Sequence, residues 1–159
     1  MDKKYICYIG RPSYQKNTLF LVDVVRQVCL IYPDIQFLLL GVGYYSPELE
    51  IVKRRIEDWR LGDKLILKPW LEHNETLKLV KESLFYITVA RYEGLPLSVI
   101  EAMSLGKAVI ASDVVGNKDC VIHEYNGFLI PMETGAFVTA ISTVIEDGTK
   151  REMFSRNSR

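Results

Sequence analysis

Two adjoining pieces of the chain decide its fold: Leu84-Phe-Tyr-Ile-Thr-Val-Ala90, and after it Arg91-Tyr-Glu-Gly-Leu-Pro-Leu-Ser-Val-Ile-Glu101-Ala-Met-Ser-Leu-Gly106. The first is almost wholly apolar and rich in β-branched and aromatic side chains, as in a strand buried on both faces. Glu93 and Gly94 interrupt it as a loop. Pro96 suits the first position of a helix, where its missing N–H costs no hydrogen bond. Val99, Ile100 and Met103 recur at helical spacing and are expected to face the core. The next apolar run, Ala108 to Ala111, reads as a second strand. Strand, loop, helix and strand make one right-handed crossover of a parallel sheet.

A helix opening at Pro96 leaves the N–H groups of Leu97 and Ser98 free. They carry the positive end of the helix dipole, roughly half a charge, and favour an anion such as phosphate. Glu93 lies at the carboxyl end of its strand, where open α/β sheets bind ligands. Glu101 falls one turn into the helix, opposite the apolar stripe. Carboxylates accept well from vicinal sugar or ribose hydroxyls. Two acids beside an anion site therefore predict a sugar-bearing ligand, with basic residues supplied from elsewhere. The competing reading makes Glu93 a loop cap and Glu101 a solvated helix residue, because the dipole argument applies to any such helix.

Seven residues separate Glu93 from Glu101 within E-G-L-P-L-S-V-I-E-A-M-S-L-G-K-A-V-I-A-S-D. This resembles the E-x7-E signature of the family 4 glycosyltransferases, retaining enzymes of the GT-B class. The Glu pair, the Gly-x-Pro loop, the E-A-M-x-x-G helix and the A-S-D strand end occur in order and without gaps, and the resemblance extends over nearly all of the chain. It implies the C-terminal, nucleotide-sugar-binding domain of that family. The donor site would comprise Glu93, Gly94, Leu95, Pro96, Leu97, Ser98 and Glu101. Glu93 would hold hydroxyls of the transferred sugar, and Glu101 the ribose.

Toward the N-terminus, Tyr5 to Ile9 reads as a strand too apolar for a sheet edge. It runs into Gly10-Arg11-Pro12-Ser13-Tyr14-Gln15-Lys16-Asn17. Asn17 or Thr18 opens a helix that carries Leu19, Leu21, Val22, Val25, Val28 and Cys29 inward and ends near Tyr32-Pro33. Arg11, a planar fork, and Lys16, a point charge, are candidates for the cations that a diphosphate needs. Solvated loop cations are the commoner fate of these residue types. The G-R-x4-K spacing is similar to the family's loop in which those two residues hold the pyrophosphate, so the resemblance adds Arg11 and Lys16 to Glu93 as the catalytic set.

Ile35 to Leu40 is the second strand, leading into Gly41-Val-Gly43. That pair of glycines is either a tight turn or, as the resemblance implies, a wall beside the nucleotide. Pro47 to Leu61 reads as a helix with Leu49, Val52, Ile56 and Trp59 inward. Lys64 to Leu67 is a short strand, after which Asn74 is expected to cap a helix from Glu75 to Glu82 that buries Leu77 and Val80. By position in the family, the backbone of Trp70 and Leu71 would meet the base, although the family usually has Gly where Pro69 stands. His73 is expected to cap or face solvent.

On the C-terminal side, Val114 to Asp119 resembles the family's S-D-x-G-G-x-x-E loop, with Val115 in place of the first Gly and Asp119 in place of Glu. Val115 restricts the backbone where Gly could take a positive φ. Asn126 to Pro131 is a turn and last strand. Thr134 to Asp147 reads as a helix stopped by Gly148, followed by a charged amphipathic segment to Arg159.

Six strands alternating with helices predict a Rossmann-like, doubly wound parallel sheet with helices on both faces, the C-terminal half of a GT-B fold, as one domain over residues 1–159. A length of 159 residues, 48% hydrophobic content and zero formal net charge suit a soluble globule and give no electrostatic footprint for nucleic acid. No apolar run approaches the roughly 20 residues of a membrane helix. Cys7, Cys29 and Cys120 are an odd number without metal spacing, and Cys7 and Cys29, in apolar segments, read as reduced core thiols, so a cytoplasmic location is the default. No D-x-D occurs, so the two cations and the helix start would replace a metal, as in metal-independent GT-B enzymes. No cofactor is expected beyond a donor such as a UDP-sugar or GDP-sugar. The expected reaction is transfer of a sugar from a nucleoside diphosphate to a sugar or lipid-linked acceptor, with retention, in polysaccharide or lipopolysaccharide assembly. The acceptor-binding N-terminal domain is expected to be absent, the fragment inactive alone, and any contact with the inner membrane surface to come from the missing half. A non-catalytic nucleotide-sugar-binding module is the alternative. A receiver-type signalling domain fits less well, since Gly10-Arg11 stands where it needs an acidic pair.

Overall fold

Ile6, Cys7 and Tyr8 are almost wholly buried, and the strand that carries them, β1 (Lys4–Ile9), has parallel neighbours on both sides. The computed structural model describes residues 4–43 and 45–159. Its sheet holds six strands in the order β3-β2-β1-β4-β5-β6. The others are β2 (Ile35–Val42), β3 (Leu65–Pro69), β4 (Tyr86–Thr88), β5 (Val109–Ser112) and β6 (Gly127–Ile130), and every pairing is parallel. Leu39, Leu40, Ile87 and Ile110 are fully buried, as expected of central strands covered on both faces, and each such side chain contributes about 1.5–3 kcal/mol.

Helices α1 (Thr18–Ile31), α2 (Leu49–Asp58) and α6 (Thr134–Glu146) pack together. Helices α3 (His73–Glu82) and α4 (Leu97–Ser104) form a second group, and α7 (Gly148–Ser158) touches both α6 and α4. The strand order runs outward from β1 to β3 and, on the other side, from β4 to β6. With right-handed connections the two directions place their helices on opposite faces, and the loops after β1 and β4 diverge. A crevice opens between them at the carboxyl edge, the position at which doubly wound sheets bind ligands.

Several local expectations are corrected. The helix predicted from Pro96 begins one residue later. Pro96 takes φ −80° and ψ 77°, and the Leu97 N–H donates to the Leu95 carbonyl at 2.9 Å, the geometry of an inverse γ-turn. In α4, Val99 and Ala102 are the buried residues, whereas Ile100 faces solvent. Asn74 is not a cap: α3 opens at His73, and no side chain caps it. Val114 to Asp119 is not wholly a loop, since Val115–Lys118 forms a short helix, α5, in which Val115 needs no positive φ. Gly148 does not stop α6, which ends at Glu146 with Asp147 at its C-cap; it is the first residue of α7, whose start is capped by the Asp147 carboxylate accepting from the Lys150 N–H at 2.9 Å. Trp59 is half-buried, with the guanidinium carbons of Arg26 and Arg55 4.4 Å and 5.4 Å from its ring centroid. Among the described residues, no helix is long and apolar enough to cross a membrane.

Candidate functional site

The loop from β1 to α1 is folded back on itself so that Lys16 points along the crevice. Its backbone N–H donates to Ser13 Oγ at 3.2 Å, and its carbonyl accepts from the Tyr8 hydroxyl at 2.8 Å. Asn17, in the left-handed region at φ 57°, turns the chain into α1. Gly10 makes room for the lysine: a Cβ there would stand 2.9 Å from Lys16 Cγ.

The opposite wall is the loop between β4 and α4. Glu93 Oε1 accepts from Lys16 Nζ at 3.2 Å and from Gln15 Nε2 at 3.0 Å. The Glu93 side chain is only 8% exposed and that of Lys16 22%. The two loops are further joined by the Arg91 N–H donating to the Gln15 carbonyl at 2.8 Å, and by the Arg91 guanidinium lying 4.2 Å from the Tyr14 ring centroid. Beneath them the Tyr86 hydroxyl accepts from the Ile9 N–H and donates to Ser98 Oγ, both at 3.1 Å, which ties the end of β1 to the start of α4. Burial pushes the ionisation of Tyr86 and of Tyr8 well above the ordinary tyrosine range, so both hydroxyls remain neutral donors.

The crevice is a cleft of about 910 Å³. Arg11, Lys16, Glu93, Gly94, Leu95, Leu97 and Ser98 line it, and so do Gly41, Gly43 and Trp70. Pro96, Leu71 and Glu101 do not. Pro96 turns into the protein and is buried. Glu101 lies on α4 with Oε1 3.8 Å from His73 Nε2 at the start of α3, so His73 is not only a solvent-facing residue. Of the two amides assigned to an anion, that of Leu97 is engaged by the γ-turn, and that of Ser98 gives no backbone hydrogen bond among the described residues. Arg11 makes no ion pair among the described residues; its guanidinium carbon stands 5.7 Å from the centroid of the Tyr45 ring. Trp70 is 77% exposed, a free aromatic face at the rim. Among the described residues, no three His, Cys, Asp or Glu side chains are grouped to hold a metal ion.

Sequence reasoning missed Gln15, Tyr45, Tyr86 and Gly116. Gly116 packs directly under the Glu93–Gly94 turn. Gln15 stands next to Lys16 in the chain, and that adjacency was its one visible signal. Chemically the cleft offers one unpaired cation, one cation shared with a carboxylate, a free helix-start amide and an exposed aromatic, a set suited to a diphosphate carrying a polar sugar and a flat base.

The family model described as "Glycosyl transferases group 1" matches residues 1–159. The chain is 30% identical over 154 residues to UDP-Gal:alpha-D-GlcNAc-diphosphoundecaprenol alpha-1,3-galactosyltransferase of Escherichia coli, covering 95% of this chain and 38% of that protein. Among solved structures, sucrose-phosphate synthase from Thermosynechococcus elongatus superposes with a TM-score of 0.89 at 26% identity, covering 99% of this chain and 40% of the other. HepE of Anabaena, solved in complex with UDP and glucose, gives a TM-score of 0.88 at 22% identity over 98% of this chain and 42% of the other, a likeness of fold. The chain thus spans about two fifths of the length of each of these three proteins.

Proposed function

The chain belongs to the glycosyl transferases group 1 family, and from that premise we propose that its cleft holds the nucleoside diphosphate sugar from which a sugar is transferred. The observation that carries this reading is the meeting of Lys16 Nζ and Glu93 Oε1, 3.2 Å apart, in a cleft that Arg11 and Ser98 also line. Cations and an acid are needed side by side where a charged diphosphate joins a neutral, hydroxyl-rich sugar.

The roles follow from chemistry. Arg11, Lys16 and the Ser98 amide receive the diphosphate. Its negative charge grows as the glycosidic bond breaks, so these contacts strengthen toward the transition state and act on the rate as well as on binding. Glu93 accepts from hydroxyls of the departing sugar. Glu101, displaced from the cleft toward His73, reaches the ribose at the rim, and Trp70 with Gly41 and Gly43 flanks the base. The transfer proceeds with retention, and the two cations and the helix start take the part that a divalent metal plays in other transferases. The E. coli relative acts, by its name, on UDP-Gal and a diphosphoundecaprenol-linked GlcNAc. A UDP-hexose donor and a lipid-linked saccharide acceptor are therefore the substrates to try first. The acceptor, and any contact with the inner membrane surface, belongs to an N-terminal half, in keeping with the family's two-domain plan, and the reaction is placed in the cytoplasm.

Calorimetric titration of the chain with UDP, GDP, ADP and their sugars, followed by amide chemical shifts, tests this. Binding of one nucleotide diphosphate with shifts at Arg11, Lys16 and Ser98 is the expected result. Indifference to all of them would refute the donor site. Transfer itself is tested by assaying a chain of the relatives' length.

A further inference from the structure

Two donors meet on one oxygen of Glu93, and they are not equivalent. Lys16 Nζ carries a full charge and lies beside the space proposed for the diphosphate, toward which a bound anion would draw it. Gln15 Nε2 is neutral and has no reason to follow. Its residue is fixed to the opposite loop three times: the side chain reaches Glu93 Oε1 at 3.0 Å and the Tyr92 carbonyl at 3.4 Å, and its own carbonyl accepts from the Arg91 N–H at 2.8 Å. Among the described residues, no hydrogen bond falls on Glu93 Oε2. That oxygen is left for a ligand while both donors engage Oε1.

The geometry points to Gln15 as a positioning residue for the sugar half of the donor. It keeps the Glu93 carboxylate on aim when Lys16 turns to the diphosphate. A neutral amide suits this task because it steadies the acid without competing for phosphate. A second cation at position 15 would be drawn off with the first. The inference rests on the reading of Glu93 as the acceptor of sugar hydroxyls, and it makes a distinct demand: losing Gln15 should erase recognition of the sugar and leave recognition of the nucleotide.

The measured quantity is the ratio of Kd for the bare nucleoside diphosphate to Kd for its sugar, taken on the chain with UDP and GDP and with UDP-glucose, UDP-galactose, UDP-N-acetylglucosamine and GDP-mannose. Gln15→Glu keeps the size of the side chain and sets a second acid against Glu93. It should bring the ratio to about one, and its own charge beside Lys16 weakens the bare nucleotide as well, so the nucleotide control is Gln15→Ala, in which affinity for the bare nucleotide should change less than about threefold. Gln15→Ala should lower the ratio about tenfold, the size expected on losing a hydrogen bond to a charged group. Equal melting temperatures across the variants would show that the fold is kept. A sugar preference that survives in Gln15→Glu overturns the role of Gln15 and leaves the donor site standing. Collapse of bare-nucleotide binding in both variants also overturns it, because Gln15 would then hold the loop as a whole. A wild-type chain that binds nucleotide but ignores every sugar removes the role of Glu93 and this inference together. A chain that binds no nucleotide overturns the donor reading itself.

Discussion

Gly116 lies so close beneath Glu93 that a Cβ built on it would stand 2.5 Å from the Glu93 carbonyl oxygen and 2.6 Å from that of Gly94. Both neighbours are backbone, so neither can swing away. Gly116→Ala should therefore push the Glu93–Gly94 turn out of place, with the ~1–3 kcal/mol cost of overpacking. Thermal unfolding should show a drop of several degrees, and the affinity for a nucleotide sugar should fall more than that for the bare nucleotide. An alanine variant that melts with the wild type would mean that α5 can slide aside.

Arg11 makes no ion pair among the described residues, which leaves its charge to a ligand. Arg11→Ala should weaken UDP binding by about tenfold to a hundredfold, the range of one charge-assisted hydrogen bond. Stability should change by no more than about 0.5 kcal/mol, as for an ordinary surface substitution. In a chain that carries out transfer, the same change should lower kcat by about 10²–10³, the loss seen when one preorganised donor to the departing charge is removed. Near-normal turnover would take Arg11 out of the transition state.

The sheet was legible because its signals are local. Ile6 to Tyr8, Leu39-Leu40 and Phe85 to Val89 are apolar runs that no other parallel-sheet position explains, and their alternation with helical patterns gives the crossover order. The place of Glu93 in the cleft was legible since the end of such a strand is where doubly wound sheets open a crevice. What escaped depends on approach between distant segments. Gln15 is a polar loop residue whose partner stands 78 positions away, and nothing in its own segment announces the contact. Gly116 looks like one more turn glycine until the Glu93 carbonyl is laid over it. Four residues of helix at Val115–Lys118 are too few to show a period. Pro96 satisfies both the first helical position and the cap, and only the bond from Leu97 to Leu95 decides between them.

Alkaline pH offers a test of the core. Burial pushes the Cys7 thiol from an ordinary value of 9.0 up to about 12. The unfolded chain then releases this proton at a lower pH than the folded one does. Stability from this group is fully present below pH 9.0 and is lost as pH rises toward 12, the unfolded state binding fewer protons throughout that window. Cys29, pushed up to about 11 by burial, acts in the same direction. Urea unfolding at stepped pH should show stability falling across this range, and Cys7→Ala should make the fall shallower. An unchanged slope in the variant would assign it to other groups.

Lys16 and Glu93 should be coupled in the empty protein. With side chains 22% and 8% exposed, the pair is partly shielded from water, and removing one partner strands the other charge. Screening at the more exposed lysine keeps the effect below that of a fully buried pair. Lys16→Met should cost more stability in the wild-type background than beside Glu93→Gln, with a coupling of ~1–2 kcal/mol in a double-mutant cycle, inside the usual range for residues in contact. The coupling should shrink as salt is raised from 0.05 M to 1 M, where the screening length falls to about 3 Å. Saturating UDP should shrink it too, because the anion then shares the lysine. Additivity of the two substitutions within about 0.3 kcal/mol at low salt would mean that the two groups touch without holding each other, and Lys16 would then be free for the diphosphate from the outset.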